Sequence, residues 1–343
     1  TGASPGYFGT GMRIVGNTNS FAGNQLGYIE VSGIISRQSN EGGIFVFGND
    51  NTIGDETNRN YIAGNSGLGI YARGEDNSIK YNNVGLTRFD GILGNDGFGI
   101  QVSQLGGGLE VSNNFITDNS STGLRLEGLS NAAVIRNNII GLSSNGIAAG
   151  NVDGIRILGG DLADIFGNVI AYNSGDGIKL TDDATGMAIF QNSIFNNGEE
   201  GIDLAADGVT ANDAGDFDDG ENRLQNTPMI EEVILNPNTT PKTLTIRYRV
   251  DSADSINASD YPLSIDFYWN SVSGSAQGKS FIAFDPTPYD TPNELRTLNF
   301  DFNSPALGGY LTATAIDGER NTSEFATYVG FGELDLIFKD DVE

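Results

Sequence analysis

The chain has 343 residues, with 45 Asp plus Glu against 18 Lys plus Arg, no Cys and no His, giving a formal net charge of −27. A surface of that sign repels phosphate backbones and anionic membranes, and suits divalent cations, salty media and solubility. The missing Cys and His exclude disulfides, thiolate sites, Ser-His-Asp and Cys-His catalysis and the usual zinc ligands. No apolar run approaches membrane-span length, so a transmembrane segment is not expected.

Residues 1 to about 20 are rich in Gly, Ser and Asn, with one strand-like run from Met12 to Val15. Residues 1–25 read as an N-terminal extension or cap. An opening at Thr1 rather than Met is what a mature secreted protein would show. The runs Tyr28 to Ser36 and Gly43 to Phe47 are expected to be the first coils of a repeat. No amphipathic helix caps this end, and an uncapped solenoid end exposes strand edges. Either the first 25 residues or another subunit is expected to cover it.

From Asn60 to Leu204 one phrase returns: an Asn, three residues, then Gly and a branched aliphatic. It reads Asn65-Ser-Gly-Leu-Gly69-Ile70, Asn95-Asp-Gly-Phe-Gly99-Ile100, Asn119-Ser-Ser-Thr-Gly123-Leu124, Asn173-Ser-Gly-Asp-Gly177-Ile178 and Asn197-Gly-Glu-Glu-Gly201-Ile202. Asn151-Val-Asp-Gly154-Ile155 is one residue short of it. The aliphatics fall at intervals of 30, 24, 31, 23 and 24. Removing about seven residues from each long interval leaves the coil length of a repeat architecture.

A second column, Asn60, Asn82, Asn114, Asn138, Asn168 and Asn192, each followed two residues on by Ile or Val, keeps the same phase. Alternating runs such as Ile155, Ile157 put aliphatics on one strand face, and nothing shows capped helical periodicity. Strands that recur once per coil stack parallel, each on its copy. The columns predict a right-handed parallel β-helix over 26–228. Gly is read as supplying corner conformations, and Asn as tolerating the left-handed region and stacking into a hydrogen-bonded ladder.

The two long intervals contain Gly85 to Gly94 and Gly141 to Gly150, entering at the same phase two coils apart. They are expected to protrude from one edge and leave a notch of roughly 10 Å between them. A ligand rim is one reading; an outer turn of the repeat is favoured, because both loops are apolar and nearly uncharged.

The succession Asn-x-Ile-Gly, a short Gly-rich loop, then Gly-Asn-x-x-x-Gly-Ile resembles the parallel β-helix repeats of large bacterial surface and secreted proteins, related in fold to pectate lyases. The resemblance covers about 20 to 230. The stretch from Gly201-Ile-Asp-Leu204 to Leu224-Gln-Asn226-Thr-Pro228 looks like the segment that closes such helices. Because that family mostly lacks assigned activities, the resemblance implies an extracellular, bacterial surface location more firmly than a chemistry.

Beyond Met229 the Gly content drops and alternating runs appear: Thr243 to Val250, Leu263 to Trp269, Lys279 to Phe284, Leu295 to Phe302 and Tyr310 to Ile316. With Pro-, Asn- and Gly-rich turns between them, 229–329 reads as an antiparallel β-sandwich of immunoglobulin-like size. Its last run resembles the final hairpin of bacterial surface sandwich modules. The alternation of Leu334, Leu336 and Phe338 makes 330–343 a candidate tail strand, able to add to a neighbour's edge.

The densest candidate chemistry lies between Asn212 and Asn222. Carboxylates two and three residues apart around Gly-permitted turns can wrap one hard cation, so Asp213, Asp216, Asp218, Asp219, Glu221 and Asn222 are candidate calcium ligands. The run lacks the distal Glu and flanking helices of an EF-hand loop, and an acidic solvated turn is the alternative. The ion is expected to pin the helix end to the sandwich.

A charged stripe flanks the Gly-aliphatic column: Asp153, Asp176 and Glu200 before it, and Tyr71, Gln101, Arg125, Arg156, Lys179 and Asp203 after it. In lyases of the resembled fold such a face carries calcium-binding acids and a base that abstracts a sugar proton. That makes Asp153, Asp176, Arg156 and Lys179 weak catalytic candidates. Asn151-Val-Asp153 and Gly175-Asp176 also resemble polygalacturonase acids, but the paired Asp and the His of that family are missing. Stacked opposite charges also keep a sheet face soluble, which is the favoured reading. Trp269 shares a strand face with Ile265 and Phe267, so it reads as a core pin rather than a sugar platform.

The expectation is therefore an all-β secreted or cell-surface structural or adhesive protein, stabilised by calcium and self-associating, stacked head to tail as a filament subunit. The rivals are a calcium-dependent polysaccharide lyase or glycosidase and a non-catalytic carbohydrate-binding protein.

Overall fold

The aliphatics of the repeat pair with one another from coil to coil. In the computed structural model, which describes residues 9–31, 34–38, 40–103, 107–129, 132–205, 207–252, 261–274, 276–304 and 306–332, Ile70 lies opposite Ile44 and Ile100. The column continues in parallel register through Leu124, Ile155, Ile178 and Ile202. The first sheet runs from Thr10–Val15 through Gly42–Phe47, Ile70–Arg73, Ile100–Ser103 and Leu124–Leu129. It continues through the start of Ile155–Phe166 to Ile178–Thr181 and Ile202–Asp203. The long strand Ile155–Phe166 turns the corner into the second sheet, which ends on Thr185–Phe190. The third sheet has seven strands, from Gln25–Leu26 to Ser193–Phe195. Ile44, Ile70, Ile100, Ile155 and Ile178 are fully buried in the cluster between the sheets. Each contributes roughly 1.5–3 kcal/mol of transfer free energy.

The Asn columns form two amide ladders. One runs Asn60, Asn82, Asn114, Asn138, Asn168, Asn192, with Nδ2-to-Oδ1 distances of 2.8–3.0 Å. The other runs Asn65, Asn95, Asn119, Asn151, Asn173, Asn197 at 2.7–3.0 Å. From Asn114 onward in the first ladder and from Asn95 onward in the second, each Oδ1 also accepts the backbone N–H of the preceding rung, as Asn168 Oδ1 does from Asn138 at 2.9 Å. Amides satisfy both backbone and neighbour at a buried corner, where an unpaired polar group is costly.

The glycines of the repeat phrase have a different cause from the one expected. A Cβ on Gly154 would lie 2.5 Å from both Gly177 O and Ile170 Cγ2. Close approach of the next coil excludes a side chain there; the left-handed corners belong to other residues, among them Gly141 and Tyr172.

The start of the helix also differs. Thr10–Val15, Ser20–Phe21 and Gln25–Leu26 pair with the second coil, so the first coil begins inside the segment expected to be an extension. Tyr28–Val31 and Ile34–Arg37 instead form an antiparallel hairpin outside the coils. The first coil was hard to see because Met12, Ile14, Phe21 and Leu26 pack against the core without the repeat phrase. The notch between the two long loops is closed: Ser144 Oγ donates to Asp90 Oδ1 at 2.6 Å across the loop tips.

The sandwich faces a three-stranded sheet, Met229–Asn236, Lys242–Arg249 and Arg296–Phe302, against a four-stranded one. The latter is ordered Ser280–Phe284, Ser264–Asn270, Gly308–Ile316 and Val329–Gly332. All pairings are antiparallel. Strand Ser264–Asn270 serves two cores. Ile265 and Phe267 lie in the sandwich core, whereas Tyr268 joins the helix core with Phe325. Trp269 packs on the sandwich side, 6.3 Å from Phe302 between ring centroids, with Nε1 donating to Gly308 O. The candidate tail strand lies beyond Gly332, outside the described residues. Among the described residues no helix is long and apolar enough to cross a membrane.

Candidate functional site

The last coil of a solenoid leaves a row of N–H groups with no coil to receive them. Here the sandwich and the segment before it receive them. Gln277 Oε1 accepts the Asn197 N–H at 2.9 Å and Asn197 Nδ2 at 3.2 Å, taking the place of the next Asn in the ladder. Gln277 Nε2 donates to the carbonyls of Asn197 and Glu199. Gly278 O accepts Ile194 N–H at 2.8 Å, Thr322 Oγ1 accepts Ile189 N–H at 2.7 Å, and Asn321 Oδ1 accepts Gly186 N–H at 2.7 Å. Where Gly177 meets Gly201 O and Ile194, Gly201 meets Ala276 O and the Phe325 ring.

Buried carboxylates complete this seam. Glu324, 4% exposed, accepts Leu204 N–H at 3.0 Å and Thr210 N–H at 2.8 Å. Burial lifts it to about 7, against the lowering effect of those bonds. Asp266 accepts Gln191 N–H and is lifted by burial to about 6.

The stripe is assembled as the sequence orders it, with Arg125, Arg156 and Lys179 on adjacent strands. Asp153, Asp176 and Asp203, however, are buried and the lysine is committed. Lys179 Nζ lies 2.6 Å from Asp176 Oδ2 and 3.2 Å from Asp203 Oδ2. Asp176 Oδ1 accepts Glu200 N–H, and Asp153 Oδ2 accepts the Thr122 hydroxyl at 3.3 Å. Burial pulls the Lys179 ammonium down, but its bonds and attraction to Asp176 and Asp203 outweigh that and raise it. A raised lysine stays protonated at neutral pH and does not serve as a base. Asp203 is lifted to about 6 by burial and by Asp176, with Lys179 opposing. Arg156 makes no ion pair among the described residues, and its buried Nε has no partner.

Of the six candidate calcium ligands, the structure brings three together: Asp213, Asp216 and Asp218 have carboxylate oxygens within 4.8 Å of one another. Positive φ at Gly215 and Asp216 folds the turn so that they converge. Asp216 Oδ1 accepts Asn226 N–H, and Oδ2 accepts from Gln225 Nε2 and the Ser252 hydroxyl. Burial lifts Asp216 to about 6, and repulsion from Asp213 and Asp218 adds to it against those bonds. Three hard oxygen donors that repel one another fit a divalent cation.

The other three do not join them. Asp219 Oδ1 accepts the Gly220 N–H, and Glu221 accepts Asp183 N–H. Asn222 is fully buried in the cap: its Oδ1 accepts Met187 N–H at 2.9 Å and its Nδ2 donates to Met187 O and Thr322 O. Sequence reasoning missed Gln277, Tyr268, Thr322 and Glu324 altogether. The one available signal was that a closing amide was owed to the Asn ladder.

No curated protein matches the chain. Among solved structures, the enzymatically active domain of bacteriophage CBA120 tailspike protein 2 is similar at 12% identity, with a TM-score of 0.41. The likeness covers 96% of this chain and 67% of that one, and at that score it bears on nothing further. The family described as right handed beta helix region matches residues 42–213, half of the chain, over the coils whose register is given above. The chain therefore belongs to the right-handed β-helix family.

Proposed function

We propose that this chain is a non-catalytic structural and adhesive module of a bacterial extracellular surface, a β-helix closed by its own sandwich, with calcium held by Asp213, Asp216 and Asp218 beside the closure. The observation that carries the reading is the state of the stripe. Its lysine is neutralised by two buried acids, so Lys179 and Asp176, two of the four catalytic candidates, are engaged with each other rather than exposed to a substrate. The acidic composition supports an extracellular, solvated setting. Because the C-terminal end is sealed by Gln277 and its neighbours, coil-on-coil stacking is left to the N-terminal coil, whose outer edge is unpaired among the described residues. Self-association through that coil replaces a head-to-tail filament running through both ends.

A glycan contact on the first sheet is favoured by one further observation. Phe45 and Phe47 flank Tyr71 at 5.8 and 5.7 Å between centroids, and Arg13 lies 5.0 Å over Phe47. These rings are partly exposed and point outward in line with Gln101 and Arg125, the kind of platform a sugar face stacks on.

The test is incubation of the protein with acidic and neutral polysaccharides in calcium, followed by product sizing and ultraviolet detection of unsaturated uronates. Intact chains are expected, with any retained polysaccharide released by Tyr71→Ala. Cleavage that disappears in Asp176→Asn or Lys179→Met would overturn the non-catalytic reading.

A further inference from the structure

Three insertions leave the solenoid at one corner, where a strand of the third sheet hands over to the next strand of the first. The hairpin of Tyr28–Val31 and Ile34–Arg37 lies between Gln25–Leu26 and Gly42–Phe47. The loop 85–94 lies between Asn82–Val84 and Ile100–Ser103, and the loop 141–150 between Ile139–Ile140 and Ile155–Phe166. The coils between them pass the corner directly, from Asn60–Ile62 to Ile70–Arg73 and from Phe115–Ile116 to Leu124–Leu129. The insertions therefore recur on every second coil, about 10 Å apart along the axis. They touch and form one ridge. The Tyr28 hydroxyl accepts Arg88 N–H at 2.7 Å, Arg37 pairs with Asp96 at 2.8 Å, and Ser144 bonds Asp90 at 2.6 Å.

The crest of this ridge is apolar. Phe89 is 72% exposed, Ile147 57% and Ile29 49%, and Ile35 and Ile92 are exposed beside them. Apolar residues gathered in this way on a surface mark a contact. The charge of the ridge says with what. Its three segments carry Glu30 and Asp90 against Arg37 and Arg88, a net charge of zero over about thirty residues of a chain at −27. Two copies of such a chain repel, and a face without net charge is where they approach at least cost. Some 20–30 residues a side is the size of a standard interface.

The spacing sets the orientation. Phe89 stands at the centre, with the hairpin two coils before it and Ile147 two coils after it. Turning a second copy end for end about an axis through Phe89 lays the ridge on itself: Phe89 meets Phe89, and Ile35 of each copy meets Ile147 of the other. Such a contact is isologous and closes at two copies. It also brings Arg88, which makes no ion pair among the described residues, to the second copy's Asp90.

We propose that this ridge is the contact between two antiparallel copies of the chain, centred on Phe89. It uses neither the charged stripe nor the edge of the N-terminal coil, so it stands apart from the proposed function.

The experiment is sedimentation of the full chain over a series of concentrations and salt levels, joined to crosslinking. A dimer is expected that tightens as salt rises, because screening weakens the repulsion between the copies. Phe89→Asp weakens it roughly tenfold or more at an unchanged Tm, since the ring is exposed in the single chain. The chain has no Cys, so an introduced thiol reports one contact. Under a short bis-maleimide Phe89→Cys links to itself, whereas Ile147→Cys links only when mixed with Ile35→Cys. A chain that stays monomeric throughout overturns the proposal, including one that instead binds lipid vesicles through Phe89. A dimer that survives Phe89→Asp also overturns it and places the contact elsewhere, as at the N-terminal coil. Self-linking of Ile147→Cys without self-linking of Phe89→Cys overturns the antiparallel pairing.

Discussion

Replacing Gln277 with Ala removes the rung that the sandwich supplies to the amide ladder. Gln277 is 5% exposed, and it bonds Asn197 N–H at 2.9 Å, Asn197 O at 2.9 Å and Glu199 O at 3.0 Å. Asn197 Nδ2 keeps its bond to Ile170 O, so the groups orphaned are the N–H and C=O of Asn197 and the C=O of Glu199. An orphaned buried group costs roughly 1–3 kcal/mol. Glu199 is exposed and water reaches its carbonyl, which leaves two groups and a loss of about 2–6 kcal/mol. For a chain of this length the unfolding entropy is roughly 0.7 kcal/mol per kelvin, so Tm falls by about 3–8 °C. Thermal unfolding followed by circular dichroism measures this. Gln277→Glu tests the direction: it keeps an acceptor for Asn197 N–H but sets a carboxylate against two carbonyls, so its loss exceeds that of Ala at pH 8 and shrinks at pH 4. A Gln277→Ala protein melting within 1 °C or so of the parent would refute the claim that the sandwich completes the ladder.

Three further outcomes are expected. Glu324, at about 7, and Asp203 and Asp266, each at about 6, are all lifted by burial. Folded values above the unfolded range mean a contribution fully present below about pH 4 and lost as pH rises through 6 to 7. In calcium-free buffer Tm therefore declines from pH 5 to pH 8, and Glu324→Gln makes the decline shallower; a Tm that rises over this range would contradict the seam. Calcium at Asp213, Asp216 and Asp218 raises Tm with an affinity of roughly 10⁻⁴–10⁻³ M, weakening as pH falls through the Asp216 value of about 6. Chelator reverses the gain and Asp216→Asn abolishes it, whereas a chelator-insensitive Tm removes the metal from the account. Lys179→Met leaves Asp176 and Asp203 buried without a counter-ion and lowers stability by about 3 kcal/mol at pH 8, less at pH 5; an unchanged melt at both pH values would mean that the triad carries no stabilisation.

The helix was legible in the sequence because each coil touches its own copy. Ile155 packs between Leu124 and Ile178, and the sequence writes that contact as a recurrence. The Asn ladders were legible for the same reason. Their glycines were identified but misattributed, since a repeat shows where a residue is small without showing whether space or φ demands it. The first coil escaped because Met12, Ile14, Phe21 and Leu26 form it without the phrase.

The segment 201–228 was read as closing the helix, and its Asn222 does so, but the sandwich's share of the cap was not legible. Gln277 meets Asn197 across 80 positions and Thr322 meets Ile189 across 133, and neither belongs to a recurrence. Asn222 shows the opposite hazard: it stands among carboxylates in the sequence, yet positive φ at Asn222 and Arg223 turns it into the helix end. The stripe was placed correctly, but its burial and the commitment of Lys179 depend on neighbours in three coils, which spacing does not reveal.

The most direct measurement of the central claim is native-state hydrogen exchange at the last coil. The amides of Gly186, Ile189, Ile194, Asn197 and Leu204 donate to groups of the sandwich. If the sandwich is the closing rung, they exchange as slowly as the interior amides of Ile139 and Val169, and Gln277→Ala speeds Asn197 while leaving those two slow. Last-coil amides exchanging at loop rates in the parent protein would mean that the helix end is open, and the closed structural module would have to be abandoned.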